Sequence, residues 1–562
     1  MLSKLSHFTK SRLSAYLAPS TSFASHHCSA ATTSDNVTFP RKGLSDLKYG
    51  SMKNLHHFPE NSKILILGYG SIGEGVLPLV LRHFNIAMEN ITVSTAADRG
   101  KEAQAASAKY GVNCEIVQVT KDNYEQYLGS KLNKGDLLIN ASVDVSSVDT
   151  MEYCMQNNIV YIDTVVEPWK GGYSDHSKPI SQRSNYALRE SVLELKRKYA
   201  NHPTANTTAI SCHGANPGMV SHFVKQALVD IAIDTGYASK HHIDKAEMAT
   251  YSRAQWAALA HALGVKVMHI AERDTQRSAT IRKGKHEFVN TWSIDGFISE
   301  GCHQPAELGW GSHEKVLPYD GEQHSFGNGS AIYLKQPGAL TQVRSWTPME
   351  GAYVGWLVTH NESITLSDYF TVKQQDEVVY RPTVHYAYHP CDDAVLSLHE
   401  FIAKRFDESE LKKTLLLYED MECGVDELGV LLCGHERNAY WYGSQLDVKD
   451  VGDRIEDNQA TSLQVTATLL AGAAYAMKHP NLGVLECEEL DYKFILDVIE
   501  PYVAPLVGQY SDWNPLQKRN LFGFSENANL DQQDPWQFCN IRVMDNNTPY
   551  SRAQHEKLYT QQ

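Results

Sequence analysis

The run Lys63-Ile64-Leu65-Ile66-Leu67-Gly68-Tyr69-Gly70-Ser71-Ile72-Gly73-Glu74-Gly75 reads as a buried strand, a glycine turn and the start of a helix. Four consecutive aliphatic residues suit a parallel strand covered on both faces, and Val76 to His83 continue with helical character. Within that frame the glycine spacing has a physical meaning. Gly68 permits the tight turn, Gly70 lets the backbone approach a pyrophosphate, and Gly73 allows helix and strand to pack closely. Ser71 and Ile72 open the helix, where an anion rests on its N-terminus. The stretch predicts a dinucleotide site for NAD or NADP.

Outward from this run, apolar segments alternate with helical patterns. The expected strands are Ile64 to Leu67, Ile91 to Ser94, Glu115 to Val119, Leu137 to Asn140, Val160 to Asp163 and Thr208 to Ser211. Such alternation predicts an α/β fold, a Rossmann-type doubly wound parallel sheet, whose ligands sit beyond the carboxyl ends of the strands. Ser142, Asp144 and Thr164 fall there and are expected at the cofactor. The acid that should hold the adenosine ribose lies about 20 residues beyond the glycines in such folds. Here that strand ends in Thr95, and the next charged residues are Asp98 and Arg99. Asp98 on the ribose favours NAD, whereas Arg99 suits a 2′-phosphate, and two solvated charges opening the helix Lys101 to Lys109 satisfy the same pattern.

After His213-Gly214-Ala215-Asn216-Pro217-Gly218 the pattern becomes mixed, with strands expected around Glu287 to Ser293, Ser330 to Leu334, Tyr353 to Thr359 and Val378 to Tyr386. This predicts a second, α+β domain. Residues 1–58 read as a leader or tail, 59–215 as the dinucleotide-binding domain, 216–456 as the α+β domain and 457–562 as a C-terminal region. Its small-residue helix, Ala460 to Met477, is expected to pack back on the first domain.

Composition sets outer bounds. With 562 residues, 42% hydrophobic and 21% charged, the chain has the makeup of a globular protein of two or three domains. A formal charge of −15 argues against a nucleic-acid partner and suits a cationic ligand. The ten cysteines form no C-x-x-C pair, so neither a zinc ribbon nor a secreted disulfide framework is suggested. No apolar run reaches the roughly 18 residues needed to span a bilayer. The first 34 residues carry Lys4, Lys10 and Arg12 with no acid before Asp35 and are rich in serine, as in an organellar transit peptide or a tail without an address. The expected setting is cytoplasmic, with mitochondrial import as the alternative this leader leaves open.

In the second domain, carboxylates and aromatics stand beside glycines, as in site loops. Glu272 lies in His269 to Asp274, Trp292 follows Asn290-Thr291, and Glu300 sits in Ser299-Glu300-Gly301. His360 and Glu362 follow a strand, and period-two spacing puts them on one face. The pair reads as a general base with its carboxylate or as a plain ion pair; Trp292 reads as a core residue or a cation binder; Glu272 reads as a site acid or as the partner of Arg273. His385, His389, Cys391, Asp392 and Asp393 look metal-like, but their types do not match a closed Cys/His zinc pattern, so no metal is expected.

These residues carry a resemblance. Gly68 to Gly73, Tyr161 to Trp169, Gly214 to Ser221, His269 to Arg277, Gln304 to Gly311, Thr359 to Ser363, His385 to Leu398 and Asn438 to Ser444 together resemble the bacterial-type homospermidine synthases of the saccharopine dehydrogenase-like group, from about Ile64 to Gln537. The resemblance implies an NAD-using enzyme, expected as a homodimer, that joins two molecules of putrescine with loss of ammonia, spermidine being a second aminobutyl donor. It places site residues at Glu167, Asn216, Glu272, Trp292, Glu300, His360, Glu362 and Asp426, and Asp144 near the nicotinamide. The family pattern has an acid where Thr95 stands, so the ribose contact departs from it. Two other readings stay open: a saccharopine- or carboxyspermidine-type dehydrogenase, with Arg344 or Arg381 meeting a substrate carboxylate, and a non-catalytic nucleotide-binding relative.

Overall fold

The computed structural model describes residues 55–543 apart from 174, 176, 201, 419 and 520–529. The basic leader expected over the first 58 residues therefore lies outside the described residues up to position 54. Among the described residues, seven parallel strands form one sheet in the order Val484–Glu486, Ala209–Ser211, Val160–Asp163, Leu137–Asn140, Ile64–Leu67, Ile91–Thr95 and Asn113–Ile116. All four residues of Ile64–Leu67 are buried, as a central strand covered on both faces requires. It pairs with Ile91–Thr95 on one side and Leu137–Asn140 on the other, which makes its carboxyl end the point where strand order reverses.

The strand expected at Glu115 to Val119 forms earlier, at Asn113–Ile116, because pairing with Ile91–Thr95 begins at Thr92 opposite Asn113. Val119, left outside the strand, is buried instead in the apolar layer with Leu128 and Leu132. Similarly, the segment expected as one strand from Val378 to Tyr386 divides into Glu377–Tyr380 and Thr383–His389. Pro382 stands at the break, where a missing N–H cannot serve a ladder.

A second, mixed sheet runs in the order Gly321–Gln323, Ala331–Pro337, Pro305–Gly309, Thr383–His389, Val267–Asp274, Val425–Cys433, Ala439–Asp447 and Leu506–Ser511, with the hairpin Gln342–Thr347 and Gly351–Trp356 joined to Thr383–His389. Alternation along these strands gives it two different faces. Val267, Ala271, Ala387, Leu431 and Cys433 point to one side, into a layer with Trp513, Trp536 and Phe538. Ile270, Tyr386, Tyr388, Leu428 and Val430 point to the other, into the large core shared with the helices of the parallel sheet.

The helix Ala460–Lys478 links the two halves. Alanines along its length allow close approach to the glycine-loop helix Ser71–His83 and to Val160–Asp163. Its first turn reaches the second sheet, where the Thr461 hydroxyl donates to Asp426. No helix among the described residues is long and apolar enough to cross a membrane.

Candidate active site

The glycine loop separates its three glycines by function. A Cβ on Gly68 would come within 2.4 Å of the Ala141 carbonyl oxygen, and Gly68 has φ +94°, so only glycine makes this turn without strain. A Cβ on Gly73 would lie 2.0 Å from the Gly68 carbonyl oxygen. Gly70 differs: a Cβ there would meet nothing within 4 Å, and no side chain caps the helix that begins at Ser71 and Ile72. Open space beside an uncapped helix N-terminus fits a dinucleotide pyrophosphate.

Ser142 and Asp144 follow the neighbouring strand Leu137–Asn140, and Thr164 follows Val160–Asp163, so the expected cofactor residues sit at the carboxyl ends of adjacent strands. The Ser142 hydroxyl donates to Asn140 Oδ1 at 2.6 Å, which fixes this loop. Asp163 belongs to the scaffold: its carboxylate accepts from the Tyr161 hydroxyl and the Cys212 amide.

Strand register builds the opposite wall. Asp426 stands directly across from Asp274 and Leu428 from Glu272, while Tyr388 pairs with Glu272 from the other side. Period two then puts Glu272, Asp274, Asp426, Tyr386 and Tyr388 on one face. Glu272 is only 2% exposed and accepts from Tyr386 at 2.5 Å and from Asn216 Nδ2 at 3.2 Å. Asp274 accepts from Thr291 at 2.6 Å and from the Gln276 amide at 2.8 Å. Burial raises the pKa of Glu272, assisted by the charge of Asp274. Burial raises that of Asp426 as well, assisted by Glu272 and Asp274. Asp426 accepts from the Thr461 hydroxyl, and crowding of three buried carboxylates favours the protonated form among them.

Beside this wall stands a second charged group. The imidazole of His360 lies between two carboxylates, with Nε2 3.1 Å from Glu300 and Nδ1 3.4 Å from Glu362. Burial alone would lower its pKa, but Glu362 and Glu300 overcome that penalty and carry it up to about 10. His360 therefore holds its proton at neutral pH in the absence of a bound cation. The extended spacing expected for this pair is absent: His360 is the N-cap of the helix Asn361–Tyr369, and Glu362 lies in its first turn. A helix start brings the two together as closely as a strand face would. The His360 ring also packs on Tyr386, with centroids 4.4 Å apart.

Trp292 is partly buried and donates from Nε1 to the Tyr388 hydroxyl at 3.0 Å, its ring tilted on Phe297 at 5.4 Å. Tyr388 thus joins the indole to the acid wall. Glu167 is buried, and burial raises its pKa to about 8, with further contributions from the charges of Glu300 and Asp144. That electrostatic contact ties the loop after Val160–Asp163 to the second sheet's groups. The eight residues Glu167, Asn216, Glu272, Trp292, Glu300, His360, Glu362 and Asp426 thus form one connected neighbourhood through Tyr386 and Tyr388. Asp98 stays outside it, exposed on the turn Ala97–Arg99.

Sequence reasoning passed over Asp274, Tyr386 and Tyr388 as site groups. The alternation of Glu272 with Asp274 and of Tyr386 with Tyr388 was available, but their opposition depends on pairing between distant strands. His385 and His389 belong to other surroundings: the His385 ring packs at a tilt against His269 with centroids 4.2 Å apart, and His389 is in edge contact with Trp356. No group of three or more His, Cys, Asp or Glu among the described residues is arranged to hold a metal ion. Arg381 donates to Thr371 at 2.9 Å and to the Gly329 carbonyl at 2.8 Å, away from the acid wall.

Comparison with known proteins places these features in a family. The Saccharopine dehydrogenase NADP binding domain matches residues 64–210, and the Saccharopine dehydrogenase C-terminal domain matches 214–511. A homospermidine synthase of Blastochloris viridis is 49% identical over 487 residues, covering 86% of this chain and 97% of that protein. One from Mesorhizobium japonicum is 46% identical, covering 85% and 96%. Among solved structures, the homospermidine synthase of Legionella pneumophila in complex with NAD superposes with a TM-score of 0.78 at 41% identity, covering 88% of this chain and 99% of that one. With a glycine loop of dinucleotide-binding form, an acid-lined second sheet and relatives matched over nearly their full lengths, this chain belongs to the homospermidine synthase family of the saccharopine dehydrogenase-like group.

Proposed function

We propose that this chain makes homospermidine from two molecules of putrescine with release of ammonia, spermidine serving as an alternative aminobutyl donor with release of diaminopropane. The observation that carries this reading is the imidazolium of His360 held between Glu300 and Glu362 beside the buried acids Glu272 and Asp426. Carboxylates gathered around a cation are what a diammonium substrate needs. NAD, when bound, supplies a hydride acceptor and later returns the hydride, leaving no net redox change. Gly68, Gly70, Ser71, Ile72 and Gly73 would hold its pyrophosphate, with Ser142, Asp144 and Thr164 toward the reacting end.

The chain's own groups manage charge and protons. A substrate ammonium beside Glu300 and Glu362 takes over the neutralisation that His360 provides, which weakens the hold of His360 on its proton. The His360 proton passes to solvent, and the neutral imidazole then accepts one from the substrate ammonium, freeing the amine lone pair that stabilises the developing iminium on the adjacent carbon. Trp292 presents an indole face to that cation, and Asn216, Tyr386 and Glu272 orient the amine. Glu167, uncharged below about pH 8, donates the proton that departing ammonia requires.

The test is incubation of the purified chain with putrescine and NAD, followed by mass analysis of the polyamines. Homospermidine without accumulation of NADH is expected. A product formed only with stoichiometric consumption of NAD(P)H would instead support the dehydrogenase reading, in which Arg344 or Arg381 would meet a substrate carboxylate; Arg381 Nε and Nη1 already donate to Thr371 and the Gly329 carbonyl. The homodimer belongs to the same proposal and should sediment at twice the chain mass of 62.9 kDa.

Two further outcomes follow. Gly70→Val should abolish NAD binding while the chain remains folded, because a branched side chain would fill the open space beside the helix N-terminus. A cofactor titration matching wild type would remove the loop from the site. For Glu167 the acid form is the active one, so kcat/KM should fall as pH rises through about 8. Glu167→Gln should lower the plateau and erase that alkaline limb; a pH profile of unchanged shape would assign the proton donor elsewhere.

A further inference from the structure

Doubly wound folds choose between their two nicotinamide dinucleotides just past the second strand, where an acid binds the ribose 2′-hydroxyl or an arginine accepts a 2′-phosphate. Here the strand Ile91–Thr95 ends in a buried threonine with no charge to offer, and Asp98 is exposed. Arg99, on the same turn, reaches the glycine loop. Its Nε donates to the carbonyl of Tyr69, inside the loop, at 3.4 Å.

Taken alone, a guanidinium seated on that loop would suit a 2′-phosphate. Its outer nitrogens, however, already face carboxylates: Nη2 lies 3.2 Å from Glu74 and Nη1 lies 3.8 Å from Glu102. Glu74 stands in the first turn of the helix Ser71–His83, where the positive end of the helix favours an acid. Each carboxylate is only partly exposed to solvent, so an incoming phosphate would meet two negative charges around a guanidinium they already neutralise.

We propose that Glu74 is the specificity-determining residue of the dinucleotide site: by occupying Arg99 it turns away the 2′-phosphate of NADP, so NAD is selected by exclusion of charge and not by an acid gripping the ribose. Arg99 is the group on which Glu74 acts, and Glu102 adds to its effect. This inference rests on the dinucleotide reading of the loop.

The measurement is direct binding of NADH and NADPH by cofactor fluorescence, without any diamine present. Wild type should bind NADPH more weakly than NADH. Glu74→Gln should lower the ratio of the two dissociation constants about tenfold, because the freed guanidinium can then meet the phosphate with charge-assisted hydrogen bonds. Arg99→Gln should raise the ratio, since the acids remain while their counter-charge is lost. Glu74→Asp, which keeps the charge, should stay near the wild-type ratio. Equal binding of both nucleotides by wild type overturns the proposal, as does a ratio that Glu74→Gln leaves unmoved or that Arg99→Gln lowers. If wild type binds neither nucleotide, the dinucleotide reading itself fails and takes this inference with it; melting temperatures on the same samples identify any variant that has lost its fold.

Discussion

Trp292→Ala is expected to lower kcat/KM for putrescine by roughly fivefold to thirtyfold, the equivalent of about 1 to 2 kcal/mol of cation–π stabilisation, and further with lost packing added. An iminium in a closed site is poorly solvated. An indole face offers it negative potential without a proton to exchange or a nucleophile to react. The ring is held for this role by its hydrogen bond to Tyr388 and its contact with Phe297. Trp292→Phe keeps a weaker π face but loses the donation to Tyr388, so it should fall between wild type and the alanine variant. If Trp292 serves only the core, both substitutions will lower the melting temperature while turnover per folded molecule stays at the wild-type level. Turnover and melting temperature measured on the same samples separate the two cases.

Glu272→Gln should lose about 1.5 to 3 kcal/mol of transition-state stabilisation, the usual value of a charge-assisted hydrogen bond, or roughly tenfold to more than a hundredfold in kcat/KM. NAD binding should be nearly intact, because Glu272 lies on the second sheet, away from the glycine loop. Glu300→Gln should weaken diamine use in the same direction by loosening one side of the clamp on His360. The stability of Glu272→Gln should change in the opposite sense. A buried acid with a raised pKa contributes stability that is present below the unfolded-state pKa and lost as pH rises through the folded value. The amide cannot ionise, so the variant should gain in melting temperature over wild type on the alkaline side and lose that advantage in acid. A variant that is fully active, or one that is destabilised most at alkaline pH, would remove Glu272 from the proposed role.

The imidazole of His360 shows why the chemistry of this site is easier to assign from structure than from residue type. As a residue type, histidine beside a carboxylate suggests a base ready at neutral pH. Two carboxylates flanking a buried ring reverse that state and keep it charged up to about pH 10. The second flank comes from Glu300, on the turn Ser299–His303, far away in sequence. In the proposed mechanism, a cationic substrate sharing those carboxylates returns the ring to its role as base.

Much of the parallel sheet was legible because its information is local. Ile64–Leu67, Leu137–Asn140 and Val160–Asp163 occur where continuous apolar runs place them, since a strand buried on both faces tolerates no polar alternation. The glycine loop was equally readable, as three backbone requirements fall within six residues. Edge strands such as Asn113–Ile116 were less so, because one side faces no neighbour and pairing sets where they begin.

For the second domain, sequence by itself determined which residues were candidates: Glu272, Trp292, Glu300, His360 and Glu362 are the acids, imidazole and indole that a cationic substrate calls for, and the family resemblance added Asp426. Tertiary structure alone decided how they combine. Asp274 faces Asp426 through pairing between strands about 150 residues apart. Tyr386 joins Glu272 to His360 across a third strand, and the first turn of Ala460–Lys478 meets Asp426 from the far end of the chain. Residue type and spacing carry chemical potential and local conformation, whereas charge state depends on distance and burial, and those exist only once the long-range contacts have formed.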